Sequence, residues 1–199
     1  MKSVMYLSPK IYNFFLRIIH RKYFLFRYKE IARIIGKNKK VLDLGCGTGL
    51  LYKFLDKSCE YEGWDLNKRF LKNMDGINTK CKNVFDFDDY PASDVIVICD
   101  LLHHVMPRHK ELLIKAKEKT KRLIVLESKA AIVKIKNRII YFIYKAFDTL
   151  LGDSDGINSY DERMKYFDNK EDTFKFFSDF NPLYIKEIGS DYLIIFSNA

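Results

Sequence analysis

The pattern of apolar and polar positions predicts a chain in which strands alternate with helices. From Ile11 to Ile35 apolar residues recur at helical spacing with basic residues between them, and Gly36 follows, which predicts one or two leading helices. Short apolar runs typical of strands in a parallel sheet lie at 40–45, 61–66, 94–100 and 122–128, with a weaker run at 81–86. Helices are predicted between them at 49–57, 67–74 and 108–119.

This alternation implies an α/β protein with right-handed crossovers and an open parallel sheet. The last part of the chain departs from it. Two further strands, at 183–188 and 192–197, are separated only by the residues Gly189, Ser190 and Asp191. That connection is too short for a crossover and fits a hairpin turn, so one strand of the sheet is expected to be antiparallel.

Composition limits the class of protein. The chain has 199 residues, of which 48% are hydrophobic, enough for one domain with a real core. Its four cysteines form no CxxC pair and no histidine lies at ligand spacing, which predicts no disulfide framework, no metal site and a reducing cytoplasmic location. Charged residues from Lys10 to Lys29 interrupt every apolar run before the ~18 residues that a membrane span needs, so neither a signal peptide nor a transmembrane helix is expected.

The formal net charge of +9 is compatible with nucleic acid, an anionic membrane surface or an acidic substrate. However, Lys and Arg are spread from Lys2 to Lys186, in a sequence that is rich in Lys, Ile, Asn, Tyr and Phe throughout. A general compositional bias therefore explains the charge without a dedicated binding face.

Three glycines, Gly45, Gly47 and Gly49, follow the first strand within five residues. Ligands of open α/β sheets bind beyond the carboxyl ends of the strands, and glycine lets a ligand approach the backbone closely. The spacing is one residue tighter than the G-x-G-x-x-G of dinucleotide sites, but Asp65 stands 20 positions after Gly45 at the end of the second strand, where a ribose-binding acid is expected. A nicotinamide oxidoreductase is therefore disfavoured on the glycine spacing.

The stretches "VLDLGCGTG", "WDLN", "VFD" and "VIVICDLLHHV" occur in this order and together resemble the class I S-adenosylmethionine-dependent methyltransferases, in particular the group whose fourth strand ends in "LHH". The resemblance covers roughly residues 38–128. It implies a Rossmann-like, doubly wound, seven-stranded and mostly parallel sheet, with S-adenosylmethionine as cofactor. By position it implies a cofactor site of Asp43 at the methionine amino group, Gly45, Cys46, Gly47 and Gly49 in the loop, Asp65 and Leu66 at the ribose, and Asp86 and Phe87 at the adenine.

Methyl transfer from a sulfonium depends mainly on alignment, and a base helps only when the acceptor is a hydroxyl, a thiol or an acidic carbon. His104 is the candidate base, because a histidine there could take a proton near neutrality. The alternative is that it only hydrogen-bonds the loop. The motif of base-amine methyltransferases, Asp or Asn before Pro-Pro and an aromatic residue, is absent after the fourth strand.

The segment 129–181 is longer than such a fold needs. Apolar residues from Ile132 to Leu150 lie along one helical stripe among Lys and Arg residues, which predicts contact of 132–151 with a membrane surface or an apolar acceptor. The alternative is a helix packed over the sheet. Ser159 and Glu162 predict a capping box after an Asp-rich loop whose spacing is wrong for a calcium loop. From position alone, this stretch could form a lid presenting Tyr160, Asp161 and Arg163.

These observations predict a single methyltransferase domain over 1–199, with N-terminal helices (1–37), a cofactor-binding core (38–128), a helical insertion or lid (129–181) and a C-terminal β-hairpin (182–199). The predicted substrate is a small, apolar or lipid-like molecule, and the predicted location is cytoplasmic or membrane-peripheral. The alternatives are an RNA or protein methyltransferase and a catalytically silent cofactor-binding scaffold.

Overall fold

The computed structural model describes residues 3–129, 138–167 and 169–198, and these residues form one seven-stranded sheet. The strands are β1 (Lys40–Leu44), β2 (Glu60–Trp64), β3 (Thr79–Lys80), β4 (Ser93–Cys99), β5 (Thr120–Ser128), β6 (Tyr184–Ile188) and β7 (Asp191–Ser197). Their order is β3-β2-β1-β4-β5-β7-β6, and β7 pairs antiparallel with both of its neighbours while every other pair is parallel. The predicted Rossmann-like sheet with one antiparallel strand from the C-terminal hairpin is confirmed.

The described helices flank this sheet. They are α1 (Pro9–His20), α2 (Phe24–Ile35), α3 (Lys68–Leu71), α4 (His109–Glu118), α5 (Arg138–Leu150), α6 (Tyr160–Arg163) and α7 (Lys170–Ser178), with short 3-10 turns at Val4–Leu7, Arg21–Tyr23, Leu51–Phe54, Phe87–Asp89 and Leu102–Val105. Ser8 caps α1 by accepting from the Ile11 amide, and α2 ends at Gly36, whose φ is 77°. The predicted capping box of Ser159 and Glu162 is present at the start of α6.

The core lies on both faces of the central strands. Residues 95–98 of β4 and 123–126 of β5 are all buried, which explains their unbroken apolar runs. One face packs against α1 and α2 through residues such as Leu16 and Ile31, and the other packs against α4 and α7 through residues such as Leu112 and Phe177. Each fully buried side chain of this size stabilises the fold by about 1.5–3 kcal/mol.

The order of the strands creates a crevice at the carboxyl ends of β1 and β4. The chain moves outward from β1 to β3 and then returns to the other side of β1 with β4. The connections after β1 and after β4 therefore lead to opposite faces, and a gap opens between Leu44 and Cys99, where ligands of such sheets bind.

Two predicted elements are wrong in place or type. The third strand is not at 81–86 but at Thr79–Lys80, because β3 is an edge strand that pairs over only two residues before the polar sequence leaves the sheet. The helix predicted over 49–57 is only the 3-10 turn Leu51–Phe54, because Asp56 accepts hydrogen bonds from the amide and hydroxyl of Ser58 and forms a turn instead.

The insertion contains α5, α6 and α7. The first part of the predicted stripe, Ile132 to Lys136, lies outside the described residues. From Arg138 onward α5 exposes its apolar side chains: Phe142, Ile143 and Phe147 are each more than half exposed, and its only buried residue is Asp148. Within the described ranges, no helix has the length and apolar character needed to cross a bilayer.

Candidate functional site

The glycine loop that follows β1 turns sharply beneath the crevice. Gly45 has a φ of 70° and Gly47 a φ of 55°, angles that side chains with a Cβ rarely adopt. A Cβ on Gly45 would lie 2.9 Å from Cδ1 of Leu101, so a side chain there would also displace Leu101, which lines the crevice. Gly49 is turned away from the crevice, and a Cβ there would meet Met74 at 2.3 Å. Cys46 is buried, and burial raises its pKa.

The carboxylate of Asp65 is held in a fixed orientation at the end of β2. Its Oδ2 accepts a hydrogen bond from the Gly47 amide at 2.9 Å, and its Oδ1 accepts one from the Asn67 amide at 2.6 Å. Asn67 then caps α3 by accepting from the Arg69 amide. Asp65 therefore joins the second strand to the glycine loop and presents acceptor oxygens to the crevice.

Asp43 lies at the inner end of the crevice, within β1. It is 3% exposed, and its Oδ2 accepts a hydrogen bond from the Tyr61 hydroxyl at 2.8 Å. Burial raises the pKa of this carboxyl to about 7, although the Tyr61 hydrogen bond opposes the shift. A cation that replaced the proton on Asp43 would pair with a carboxylate shielded from water.

The crevice contains a cavity of about 290 Å³. Among the predicted residues, Gly45, Gly47, Asp65, Leu66 and His104 line it, and a smaller pocket at its inner end adds Asp43 and Cys46. At the outer end the lining is Asn83, Val84 and Phe85.

Asp86 and Phe87 do not line this cavity, contrary to the expectation from the sequence. They face a separate cleft with Lys115 and Lys119. Because the third strand ends at Lys80, the chain crosses the mouth of the cavity earlier than predicted. It has already turned away at Asp86, whose amide donates to the Asn83 carbonyl at 3.1 Å.

The N-terminal segment covers the cavity with aromatic side chains, which the sequence did not reveal. Tyr6 and Tyr12 both line it, and the Tyr12 ring lies 4.9 Å from that of Phe70. The Thr48 hydroxyl donates to Asn13 at 2.8 Å and thereby ties α1 to the glycine loop. The leading helices are therefore part of the site wall.

A second cavity of about 370 Å³ lies next to the first. Its apolar wall includes Met5, Leu16 and Ile19, and its polar end includes His103, Asp153 and Arg163. Tyr12, Asp100 and His104 line both cavities and form the boundary between them. Of the three residues predicted for the lid, only Arg163 lines this cavity, while Tyr160 packs against Tyr141 and Asp161 pairs with Lys145 at 2.6 Å.

A buried ion network anchors the leading helices to the boundary. Arg27 of α2 is fully buried and donates to both oxygens of Asp100 at 3.1 and 2.7 Å and to Asp191 at 2.8 Å. Burial raises the pKa of Asp100, but the charges of Arg27 and His20 outweigh it and hold that pKa below its usual value. In the sequence Arg27 is one of many basic residues in a helix, and its partners lie 73 and 164 positions away.

His103 and His104, on the turn after β4, are surrounded by carboxylates. His103 lies between Glu127 at 2.6 Å and Asp153 at 2.9 Å, and His104 has Asp153 at 3.3 Å and Asp155 at 3.2 Å. Burial disfavours the charged form of His104, but Asp153 and Asp155 outweigh it and raise its pKa to about 9. These carboxylates favour the protonated form of the His104 ring at neutral pH. Its role as a base, which requires the neutral ring, stays a prediction.

Residues 42–122 match a family model described as a methyltransferase domain. No curated protein matches the sequence significantly.

Solved structures share the fold over nearly the whole chain. An O-methyltransferase family protein from Burkholderia thailandensis is 15% identical, with a TM-score of 0.62, over 98% of this chain and 61% of that one. The N-methyltransferase NodS from Bradyrhizobium japonicum, solved with S-adenosyl-L-homocysteine, is 14% identical, with a TM-score of 0.59, over 92% of this chain and 90% of that one. The mitomycin 7-O-methyltransferase MmcR is 15% identical, with a TM-score of 0.57, over 98% of this chain and 60% of that one. The chain therefore spans about 60% of the length of two of these three structures.

Proposed function

We propose that this chain, which carries a class I S-adenosylmethionine-dependent methyltransferase domain, transfers the methyl group of that cofactor to a small acceptor bound in the second cavity. The observation that carries the proposal is the adjacency of two cavities that share Tyr12, Asp100 and His104. The first cavity and the pocket at its inner end are lined by the carboxylates of Asp65 and Asp43, which suit the polar groups of a cofactor, and the second cavity has an apolar wall, which suits an acceptor.

The residues of the first cavity fit S-adenosylmethionine, which supplies an electrophilic methyl group on a sulfonium. Asp43 would pair with the methionine ammonium, because its buried carboxyl needs a cation to ionise fully below pH 7. Asp65, oriented by the Gly47 and Asn67 amides, would accept from the ribose hydroxyls. Asn83 and Phe85 would contact the edge and face of the adenine, in place of Asp86 and Phe87.

The protein's contribution to the reaction would be alignment and exclusion of water. Tyr6 and Tyr12 cover the first cavity, and Arg27 fixes Asp100 at the boundary where the methyl group must pass. Holding two reactants at near contact in this way removes much of the entropic barrier to displacement.

The second cavity supports an acceptor with an apolar part. Met5, Leu16 and Ile19 form one wall, and Ile19 is also 55% exposed on the surface of α1, so this wall continues to the outside of the protein. Phe14 and Ile18 on the same helix are also more than half exposed. Lys10, Arg17 and Lys22 on and beside α1 would contact anionic headgroups.

The exposed apolar residues of α5 extend the same argument to membrane contact. Phe142, Ile143 and Phe147 together with Phe14 and Ile18 of α1 are available to a lipid surface. We therefore include peripheral membrane contact in the proposal, with the acceptor reaching the second cavity past Ile19.

Methyl transfer can be tested with methyl-labelled S-adenosylmethionine and three acceptor pools: a lipid extract, total RNA and a polar metabolite fraction. The proposal expects label in the lipid extract or in apolar small molecules, with transfer lost in Asp65→Ala and retained in Asp88→Ala, a fully exposed acid outside the site. Label that enters RNA, with binding that falls steeply with salt, would contradict the proposed acceptor class.

A further inference from the structure

The polar end of the second cavity brings together two histidines and a carboxylate from distant parts of the chain. His103 and His104 follow β4, and Asp153 follows α5, 50 positions after His103. Nε2 of His103 lies 2.9 Å and Nε2 of His104 lies 3.3 Å from the same Asp153 oxygen, and one ligand atom from each residue falls within 4.8 Å of the others. Ligand atoms around a tetrahedral zinc ion are about 3.3 Å apart, so the two separations from Asp153 are close to those of a metal site.

The outer partner of His103 has the arrangement that a metal-bound histidine requires. His103 directs its Nε2 to Asp153 and its Nδ1 to the Glu127 carboxylate at 2.6 Å. The Nδ1 of His104 lies 3.2 Å from Asp155, an ion-pair contact without hydrogen-bond geometry. Carboxylates in this position orient the ring and make its other nitrogen a better ligand. The Tyr6 hydroxyl donates to the second oxygen of Asp153 at 2.6 Å, which leaves Oδ2 directed at the histidines.

A neighbouring cluster of similar composition is already neutralised by an arginine side chain. His20, Asp100 and Asp191 also have ligand atoms within 4.8 Å of one another, but the Arg27 guanidinium lies between the two carboxylates and neutralises them. Among the described residues, no lysine or arginine pairs with Asp153, whose cationic contacts are the two histidines. The positive charge that faces Asp153 therefore comes from protons on the two rings, and a bound metal ion would replace them.

We propose that His103, His104 and Asp153 bind one divalent transition-metal ion, with zinc as the expected ion and its open position facing the second cavity. Two imidazoles and a carboxylate suit Zn²⁺, and three protein ligands leave room for an exogenous oxygen. The spacing of histidines and carboxylates along the chain did not indicate this site, because His103 and His104 are adjacent and Asp153 lies 50 positions after His103.

The ion would define the acceptor class, and this part of the inference rests on the proposed methyl transfer. A hydroxyl of the acceptor that contacts the ion loses its proton to solvent more readily. Its oxygen electron pair forms the new O–CH₃ bond while the CH₃–S bond breaks and leaves its pair on sulfur. The products are a methyl ether, S-adenosylhomocysteine and one proton, so the expected acceptor is an alcohol or phenol with an apolar part.

The test is titration of tag-free, metal-free protein with Zn²⁺ in competition with a chelating dye, followed by Co²⁺ as a spectroscopic probe. We expect one ion per chain and Co²⁺ ligand-field bands that indicate histidine ligation. His103→Gln and Asp153→Asn should weaken Zn²⁺ binding at least about tenfold, and Glu127→Gln should weaken it by about 10–100-fold through its effect on the His103 ring. His109→Gln, which alters a histidine outside the cluster, should bind like the parent protein.

The proposal would be overturned if the parent protein and the His103→Gln variant bound Zn²⁺ with the same affinity. S-adenosylmethionine binding is measured on every variant as a check of folding, and it also separates the two claims. Zn²⁺ binding without methyl transfer would refute the proposed function and leave the metal site standing. Methyl transfer to a hydroxyl that proceeds equally well in Asp153→Asn and in the presence of a chelator would refute the assigned role of the ion.

Discussion

Substitution of Arg27 by methionine leaves Asp100 and Asp191 inside the protein without the cation that they share. Methionine replaces the aliphatic part of the arginine side chain but not its guanidinium, so the substitution removes the charge and three hydrogen bonds while an apolar side chain still fills most of the space. Breaking a buried ion pair on one side costs about 3–5 kcal/mol because the remaining charge is buried and uncompensated. For a chain of this size, each kcal/mol lowers the melting temperature by about 2–4 °C, so a decrease of roughly 6–20 °C is expected.

The assay is urea and thermal unfolding of the parent protein and of Arg27→Met, with Arg33→Met as the matched control. Arg33 pairs with Glu30 at 2.9 Å, but its side chain is 68% exposed, and such a pair contributes about 0–1 kcal/mol. Adding Asp100→Asn to Arg27→Met should restore part of the lost stability, because it removes one of the two stranded charges. Equal unfolding free energies for Arg27→Met and Arg33→Met would refute the argument that this network anchors α2 to the site.

Three further predictions concern the cofactor loop and the apolar surface. The association constant of S-adenosylmethionine should fall about tenfold per pH unit below pH 7, because the cofactor ammonium needs the Asp43 carboxylate and protons compete for it. The Asp43→Asn variant should bind the cofactor weakly at every pH. An association constant of the parent protein that calorimetry shows to be independent of pH would contradict this. Gly45→Ala should lower the free energy of unfolding by about 1–2 kcal/mol because of the positive φ, and its contact with Leu101 should also weaken cofactor binding. Gly36→Ala, which has a positive φ but open space around it, should lower only the stability. Identical cofactor affinities of the two variants would argue against a close approach of the cofactor to the backbone. Ile143→Asp on α5 should reduce binding to vesicles of anionic phospholipid at least about tenfold in a sedimentation assay. Leu183 is 67% exposed and lies before β6, and Leu183→Asp should leave vesicle binding unchanged. An equal loss of binding in both variants would indicate a general effect of the added charge.

The central sheet could be predicted from the sequence because its strands are buried on both faces. Residues 95–98 and 123–126 are continuous apolar runs, and such runs have few alternatives to an interior strand. The edge strand β3 could not be placed, because only Thr79 and Lys80 pair with β2 and neither is apolar. Short edge strands are fixed by their neighbour in space and leave little trace in the local pattern.

Some residues of the candidate site could be predicted from the sequence and others could not. The glycine loop and Asp65 could be found because their chemistry is local to the turns after β1 and β2. Tyr6, Tyr12, Arg27 and Asp153 could not, because each reaches the site through tertiary packing of the N-terminal segment or of the insertion. The sequence around Arg27 or around Asp153 does not indicate which residues these side chains contact, because their partners are brought together only by the fold.

The most direct test of this account is calorimetric titration of the protein with S-adenosylmethionine, with NADH as the comparison ligand. We expect one site for the sulfonium compound, no measurable binding of NADH, and loss of binding in Asp65→Ala but not in Asp88→Ala. Folded protein that fails to bind S-adenosylmethionine, or that binds it equally well without the Asp65 carboxylate, would contradict the assignment of the first cavity to the cofactor.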